Sequence, residues 1–302
     1  MNRVDMDVLC IGHACYDIIF SVSHQPAANE KMLADASYHF GGGPAANAAV
    51  TVSRLGGKSV FCGYIGSDMY GDRHFNELVQ EKVLTDFIIR GKTTTPYSTV
   101  LVKPDGNRTV VNYRSTMYHL QANAIDFKPL RFKALLIDGH EPFLAKPIIK
   151  RARKDKLPVI LDAGSVHDGT VDLMYETDYL IASEDFALQF TGQKDCFRAL
   201  QKIYKSGTDI VITLGSRGLI WKSGAGEGSL PAFKVPVIDT TGCGDTFHGA
   251  FAYGLAQKMS WTDLLSYSSA AAALCATRFG ARPGIPTGHE VSSLLKKTLT
   301  SL

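Results

Sequence analysis

Short apolar runs that stop at glycine or aspartate, spaced by stretches with helical periodicity, constrain this chain more than any other feature. Residues 7–12, 59–63, 87–89, 134–138, 158–162, 179–182 and 209–214 read as strands. Helices are expected between most of them, including 45–55, which opens at Pro44 and stops at Gly56-Gly57, and 70–82. Strands apolar on both faces and joined through helices pair in parallel with a helical layer on each side. The alternation therefore predicts an α/β chain built on a mostly parallel sheet.

Two excursions break the rhythm. Residues 97–103 and 108–113 flank Pro104-Asp105-Gly106-Asn107, the turn chemistry of a β-hairpin. Residues 16–22 and 31–40 are extended pieces around Pro26-Ala27-Ala28-Asn29. Segments 14–40 and 95–115 are thus expected to form a small β lid beside the main sheet, where it can cover a ligand. A second ribbon is expected over 218–222 and 230–235. Two helices, 244–257 and 261–277, are expected to close the chain. No repeat or linker divides the 302 residues, so residues 1–302 read as one domain.

The net charge of +3 is too small to argue for a nucleic acid or an anionic membrane as partner. No stretch reaches the ~20 apolar residues that span a bilayer. Arg3, Asp5 and Asp7 near the start, with no apolar core segment, do not make a signal peptide, and a cytoplasmic location is expected. The six cysteines form no C-x-x-C pair. Buried free thiols in a reducing compartment are the expectation.

Four segments carry chemistry. Asp239-Thr240-Thr241-Gly242-Cys243-Gly244-Asp245 joins a β segment to a helix starting near Cys243. Small residues at 242–244 admit a ligand close to the backbone, and free N–H groups at a helix start attract an anion. Asp245, in the first turn, can accept a proton from a substrate hydroxyl while those N–H groups hold a phosphoryl group. From these residues alone, a carboxylate that merely stabilises a helix N-terminus reads equally well. Gly41-Gly42-Gly43-Pro44-Ala45-Ala46-Asn47 is a second glycine loop opening a helix, neither a P-loop nor a dinucleotide fingerprint. It suits polyol hydroxyls, or simply a tight turn. Asp17 and Glu141 follow strand ends, where open α/β sheets place ligands. Thr213-Leu214-Gly215-Ser216-Arg217-Gly218 is a strand leading into a turn that could hold a nucleotide. His13, His140 and His248 lie near these segments without metal spacing, and residues 150–156 form a charged, solvated helix end.

Taken together these segments resemble the ribokinase or PfkB family of carbohydrate kinases along nearly the whole chain. The matching pieces are Gly42-Gly43 with Asn47, Leu55-Gly56-Gly57, Gly63-x-x-Gly66-x-Asp68, residues 213–218 and residues 239–247, in the right order. The resemblance implies a Rossmann-like, ribokinase-like three-layer domain with a β-sheet lid, ATP with Mg²⁺, and K⁺ activation. It implies Asp245 as catalytic base and Gly242, Cys243 and Gly244 as anion hole. It implies Asp17, Gly42, Gly43, Asn47 and Glu141 as substrate contacts, and Ser183, Thr213, Gly215, Ser216 and Gly218 on the nucleotide side. Asp239, Thr241, Cys275, Arg278, Gly280 and Gly284 correspond to the monovalent-cation loop.

The chain departs from the family pattern at two places. Cys243 stands where alanine is usual. Ser183 and Phe186 replace an Asn-x-x-Glu pattern that serves Mg²⁺, leaving Glu184 or Asp185 to compensate. Pro44-Ala45-Ala46, Asn112-Tyr113 and residues 231–235 look like the ketose branch of fructokinase-, ketohexokinase- and sulfofructose kinase-like enzymes. A sugar, a ketose or ribose, is thus the expected substrate. The alternatives are a nucleoside or vitamin alcohol, stacked on Tyr16, Phe20, Tyr97 or Tyr113, and a non-catalytic sensor. Open lid edges point to a homodimer through the lid.

Overall fold

The computed structural model describes residues 3–114, 119–205 and 207–299. In chain order the first half contains β1 (Val4–Asp5), β2 (Val8–Ile11), β3 (Cys15–Ser21), β4 (Ala36–Gly42), α1 (Pro44–Arg54), β5 (Ser59–Gly66), α2 (Met69–Gln80), β6 (Ile88–Gly91), β7 (Tyr97–Val102), β8 (Arg108–Tyr113), β9 (Leu130–Arg131), β10 (Ala134–Ile137) and α3 (Pro142–Lys154). The second half contains β11 (Val159–Ala163), α4 (Asp168–Leu173), β12 (Tyr179–Ser183), α5 (Glu184–Thr191), α6 (Cys196–Ile203), β13 (Asp209–Thr213), β14 (Leu219–Ser223), β15 (Gly226–Leu230), α7 (Cys243–Ala256), α8 (Trp261–Cys275), α9 (Ala281–Gly284) and α10 (Gly288–Leu299).

The main sheet runs β15-β14-β13-β12-β11-β10-β2-β5-β6 and is parallel from β13 to β6. Its strands are apolar on both faces because both faces are covered. Leu9 and Ile11 pack toward α3 and the α5–α6 side, while Val8 and Cys10 pack toward α1, α7 and α8. Each fully buried leucine or isoleucine stabilises by about 1.5–3 kcal/mol, so two opposed layers fix the register of every strand between them. The chain leaves β2 toward β5 and β6, then returns to β10 on the other side. The loops after β2 and β10 therefore flank the point where the winding reverses, the ligand crevice of open α/β sheets.

A second, four-stranded sheet has the order β4-β3-β7-β8, with β3 and β7 parallel and the outer pairs antiparallel. It is the expected small β layer. Strand alternation puts Asp17, Ser98 and Asn112 on one face and Tyr16, Tyr97 and Tyr113 on the other.

Three expectations need correction. The second ribbon pairs β14 with β15 at 226–230, and residues 231–235 are not a strand. The extended piece begins at Ala36, not residue 31. A further amphipathic helix, α10, follows the two that were expected to close the chain. Among the described residues no helix is long and apolar enough to cross a membrane.

Candidate active site

Small residues bring the two glycine loops together. Helices α1 and α7 pack side by side, and a side chain at Gly249 would meet Ala48 O at 2.6 Å. That close approach puts Asn47, in the first turn of α1, against Asp245, in the first turn of α7. Asn47 Nδ2 donates to Asp245 Oδ2 at 2.7 Å. Burial pushes the Asp245 carboxyl above its usual range, and the Asn47 amide, His248 and Arg108 offset part of the rise. Gly242 caps the helix in the left-handed region (φ 77°), where a Cβ would lie 2.5 Å from Ala281 Cβ. The first α-helical bond of α7 is Thr246 N–H to Gly242 O, at 2.8 Å. The N–H groups of Gly244 and Asp245 therefore precede the helical ladder at its positive end. Gly244 is exposed, with nothing nearer to its missing side chain than His248 Cε1 at 4.0 Å, so a ligand can reach this backbone. Arg108, from β8, donates to Thr240 Oγ1 at 2.6 Å and carries a guanidinium to the same loop.

The other glycine loop closes on a buried carboxylate. A Cβ on Gly42 would lie 2.0 Å from Asp17 Oδ2, so only glycine admits that carboxylate. Asp17 is 8% exposed and accepts from Ser98 Oγ and from Cys15 Sγ at 3.2 Å. Gly43 adopts φ 97° and lies against the backbone of His13 and Ala14. Asp138 ties these segments together. Its carboxylate accepts from His13 N at 2.7 Å, Ala45 N at 3.2 Å and His140 N at 2.9 Å. Glu141, 4% exposed, accepts from Leu120 N at 2.5 Å and faces Arg114 at 3.6 Å. Burial pushes its carboxyl up to about 7.

Sequence reasoning missed several residues. Arg282 is 4% exposed; its Nε donates to Asn47 Oδ1 at 2.8 Å, its Nη2 contacts His74 Nε2 at 2.8 Å, and its Nη1 faces Glu77 at 3.6 Å. Glu77 in turn accepts from Gly41 N at 2.7 Å. Asp162 lies 3.1 Å from His248 Nδ1, whose ring also meets Ile181 O at 3.2 Å. This buried pair sits behind Asp245, and desolvation pushes Asp162 up to about 7.

On the other side of α7, Ser183 and Thr213 end neighbouring strands and share a register position. Gly215 and Ser216 are exposed beside them, with open space at Gly215. Gly218 differs in kind: at φ 91° its Cβ would strike Leu230 O at 2.0 Å, so it serves the β14 turn. Position 186 offers no acid. Phe186 is fully buried in the core, and Glu184 is held by Arg217. Ser183 and Phe186 thus do not fit a Mg²⁺ contact of the expected kind, and of the two acids expected to compensate only Asp185, exposed in the first turn of α5, has no ion pair among the described residues. The cation loop does fit. Asp239 is fully buried, and its hydrogen-bond partners are Thr241 N (2.9 Å), Thr241 Oγ1 (2.7 Å) and Gly280 N (2.8 Å), none of them a cation. A buried carboxylate so placed suits a nearby positive ion. Cys275 Sγ lies 3.7 Å from Thr241 O, and Gly284 packs on Cys275. Arg278 turns away to Glu290. Among the described residues no group of His, Cys, Asp or Glu is arranged to hold a metal by side chains.

The chain is similar to a ribokinase of Lactococcus lactis, at 28% identity over 297 residues covering 96% of this chain and 97% of that one. It is also similar to fructokinase-2 of Zea mays, at 28% identity covering 85% of each. Among solved structures it matches a candidate ribokinase of Agrobacterium tumefaciens with TM-score 0.92 and 28% identity, covering 98% of this chain and 99% of that one. It matches the Arabidopsis thaliana ribokinase complexed with ribose and ATP with TM-score 0.83 and 25% identity, covering 97% and 99%. The sequence profile of the pfkB family carbohydrate kinases matches residues 5–288, and the chain belongs to that family.

Proposed function

We propose that the chain transfers the γ-phosphoryl group of ATP to a hydroxyl of a small sugar, a ketose or ribose, with Asp245 as general base. The carrying observation is the Asn47–Asp245 contact beside the exposed Gly244 backbone. Asn47 occupies Oδ2, which leaves Oδ1 to accept the substrate's hydroxyl proton as its oxygen attacks phosphorus. The N–H groups of Gly244 and Asp245 meet the charge on the transferring phosphoryl group, with the Cys243 backbone between them and Gly242. Asp17, Gly42, Gly43, Asn47 and Glu141 hold the sugar. Ser183, Thr213, Gly215 and Ser216 face the nucleotide, and Gly218 shapes their turn. Mg²⁺ bound with ATP would neutralise phosphate charge; Ser183 and Phe186 supply it no acid, Glu184 is taken by Arg217, and exposed Asp185 is the carboxylate left to face it. K⁺ would sit near Asp239 and Thr241, with backbone oxygens around Cys275, Arg278, Gly280 and Gly284.

The nucleoside reading loses its main support. Tyr16, Tyr97 and Tyr113 lie on the sheet face opposite Asp17 and pack with one another and with Tyr70 of α2, with centroids 5.1–5.7 Å apart. That outer face also carries exposed Val111 and Tyr113 and suits a lid-to-lid homodimer. A cytoplasmic location accords with the free cysteines. Purified protein should release ADP from ATP only when a sugar is present. A panel of ketoses and aldoses, neutral and acidic, that elicits no ADP would end the reading.

A further inference from the structure

A cavity of about 180 Å³ opens beyond the sugar contacts, lined by Gly12, His13, Ala14, Arg114, Leu120 and Glu141 among others. Three imidazoles lie in a row, His13 in its wall and His140 and His167 behind it. The His13 and His140 rings are 4.9 Å apart, and those of His140 and His167 stack at 4.4 Å with only 10° between planes. Arg114 Nη1 lies 3.2 Å from His140 Nδ1, and His119 Nδ1 lies 2.8 Å from His140 O. Two carboxyls are close, and each already has partners, Glu141 facing Arg114 at 3.6 Å. Asp138 is bonded by three backbone N–H groups. Glu141 accepts from Leu120 N, and burial favours its neutral form. His13, His140 and His167 are all held below the usual imidazole range, by burial first; neighbouring imidazoles and Arg114 add to the fall, and Asp138 opposes it at His140 and His167. Neutral rings bring N–H donors rather than charge, so the cation of the cluster is Arg114, with Glu141 at 3.6 Å. Stacked rings do not converge their nitrogens on a point, so a metal ion is not what the arrangement suits.

We propose that the substrate carries an oxyanion group, a carboxylate, phosphate or sulfonate, at the end remote from the phosphorylated hydroxyl, and that Arg114 with His13 receives it in this cavity. The inference rests on the sugar-kinase reading above and narrows its substrate class to acidic polyols. Arg114 suits the task because it follows the site-facing face of β8, two residues beyond Asn112, and is one-third exposed. A guanidinium presents paired donors to an oxyanion.

The test compares neutral hexoses with their uronic acids, 6-phosphates and 6-sulfonates in the ADP-release assay. One charged member should exceed its neutral parent in kcat/KM by roughly 10- to 100-fold, the scale of a charge-assisted hydrogen bond. In Arg114→Gln that charged-to-neutral ratio should collapse, mainly through KM, and Arg114→Lys should restore part of it. Thermal shifts by the charged compounds should weaken in parallel in Arg114→Gln. Neutral sugars turned over with equal or greater efficiency, or a ratio unmoved in Arg114→Gln, would overturn the anion site while leaving the kinase reading intact. ADP release from no compound would overturn the kinase reading itself.

Discussion

Asn47 stands between Asp245 and Arg282: its amide nitrogen donates to Asp245 Oδ2 at 2.7 Å and its amide oxygen accepts from Arg282 Nε at 2.8 Å. A carboxylate can only accept and a guanidinium can only donate, so the amide has one orientation. The Asp245 carboxylate is thereby tied, through Asn47, to a residue from the other end of the chain.

Replacing Asp245 with asparagine should remove the proton acceptor while keeping the shape of the site. Turnover should fall at least ~10²-fold, the usual scale for a general base. Calorimetry should still detect ATP and sugar. Near-normal turnover would exclude Asp245 as base.

The pH profile follows from the same contact. Asp245 must be ionised to accept a proton, and burial raises its pKa above the usual value. Activity should therefore be full above that pKa and fall as pH drops through it. The Asn47 amide favours the ionised form, so Asn47→Ala should move the acid limb of kcat/KM to higher pH. A limb that stays put, or moves down, would contradict the assignment.

Arg282→Met should cost stability as well as rate. It strands the Asn47 amide oxygen and leaves Glu77 without its nearest guanidinium. Glu77 keeps some water, which puts the loss at the low end of buried-pair values, about 2–3 kcal/mol. Urea unfolding measures it, and a change below ~0.5 kcal/mol, the scale of an ordinary surface substitution, would show that the network is dispensable.

Gly42→Ala should act on the sugar and spare the nucleotide. The new methyl would overlap the Asp17 carboxylate and displace it. KM for the sugar should rise at least ~10-fold, as expected when a binding group is misplaced, with KM for ATP unchanged. Equal effects on both substrates would argue that Asp17 does not contact the sugar.

Phe186→Glu restores the residue type common in the family, yet it should harm this protein. The side chain is fully buried among the apolar residues of β12, α5 and α6. Exchanging it for a carboxylate should cost at least ~3 kcal/mol without strengthening Mg²⁺ dependence. A stable variant with a lower Mg²⁺ requirement would reverse the view of this wall.

The parallel strands were legible because burial on both faces writes continuous apolar runs, as in Val8–Ile11 and Ala134–Ile137. Asp245 and the glycine loops were legible because tight backbone approach demands small residues in fixed order. Strand β15 was not, because Gly-Glu-Gly-Ser-Leu is an exposed edge with no apolar alternation, while 231–235 imitates a strand. Arg282 escaped for another reason. Its partner Asn47 is 235 residues away, and a lone arginine in a loop carries no local sign of burial. The roles of Asp138 and of the histidine row depend likewise on which strand ends the fold makes neighbours.

Asp138 gathers the turn after β2, the start of α1 and the turn before α3 onto one carboxylate, and a Cβ at Gly12 would lie 2.0 Å from it. Anyone re-engineering this enzyme for a new substrate faces unequal ground as a result. Side chains such as Thr94 and Leu120, which line the cavity away from that carboxylate, can be varied one at a time. A change at residue 12 or 138 would shift three walls of the pocket together, so its effects on different substrates would rise and fall as one.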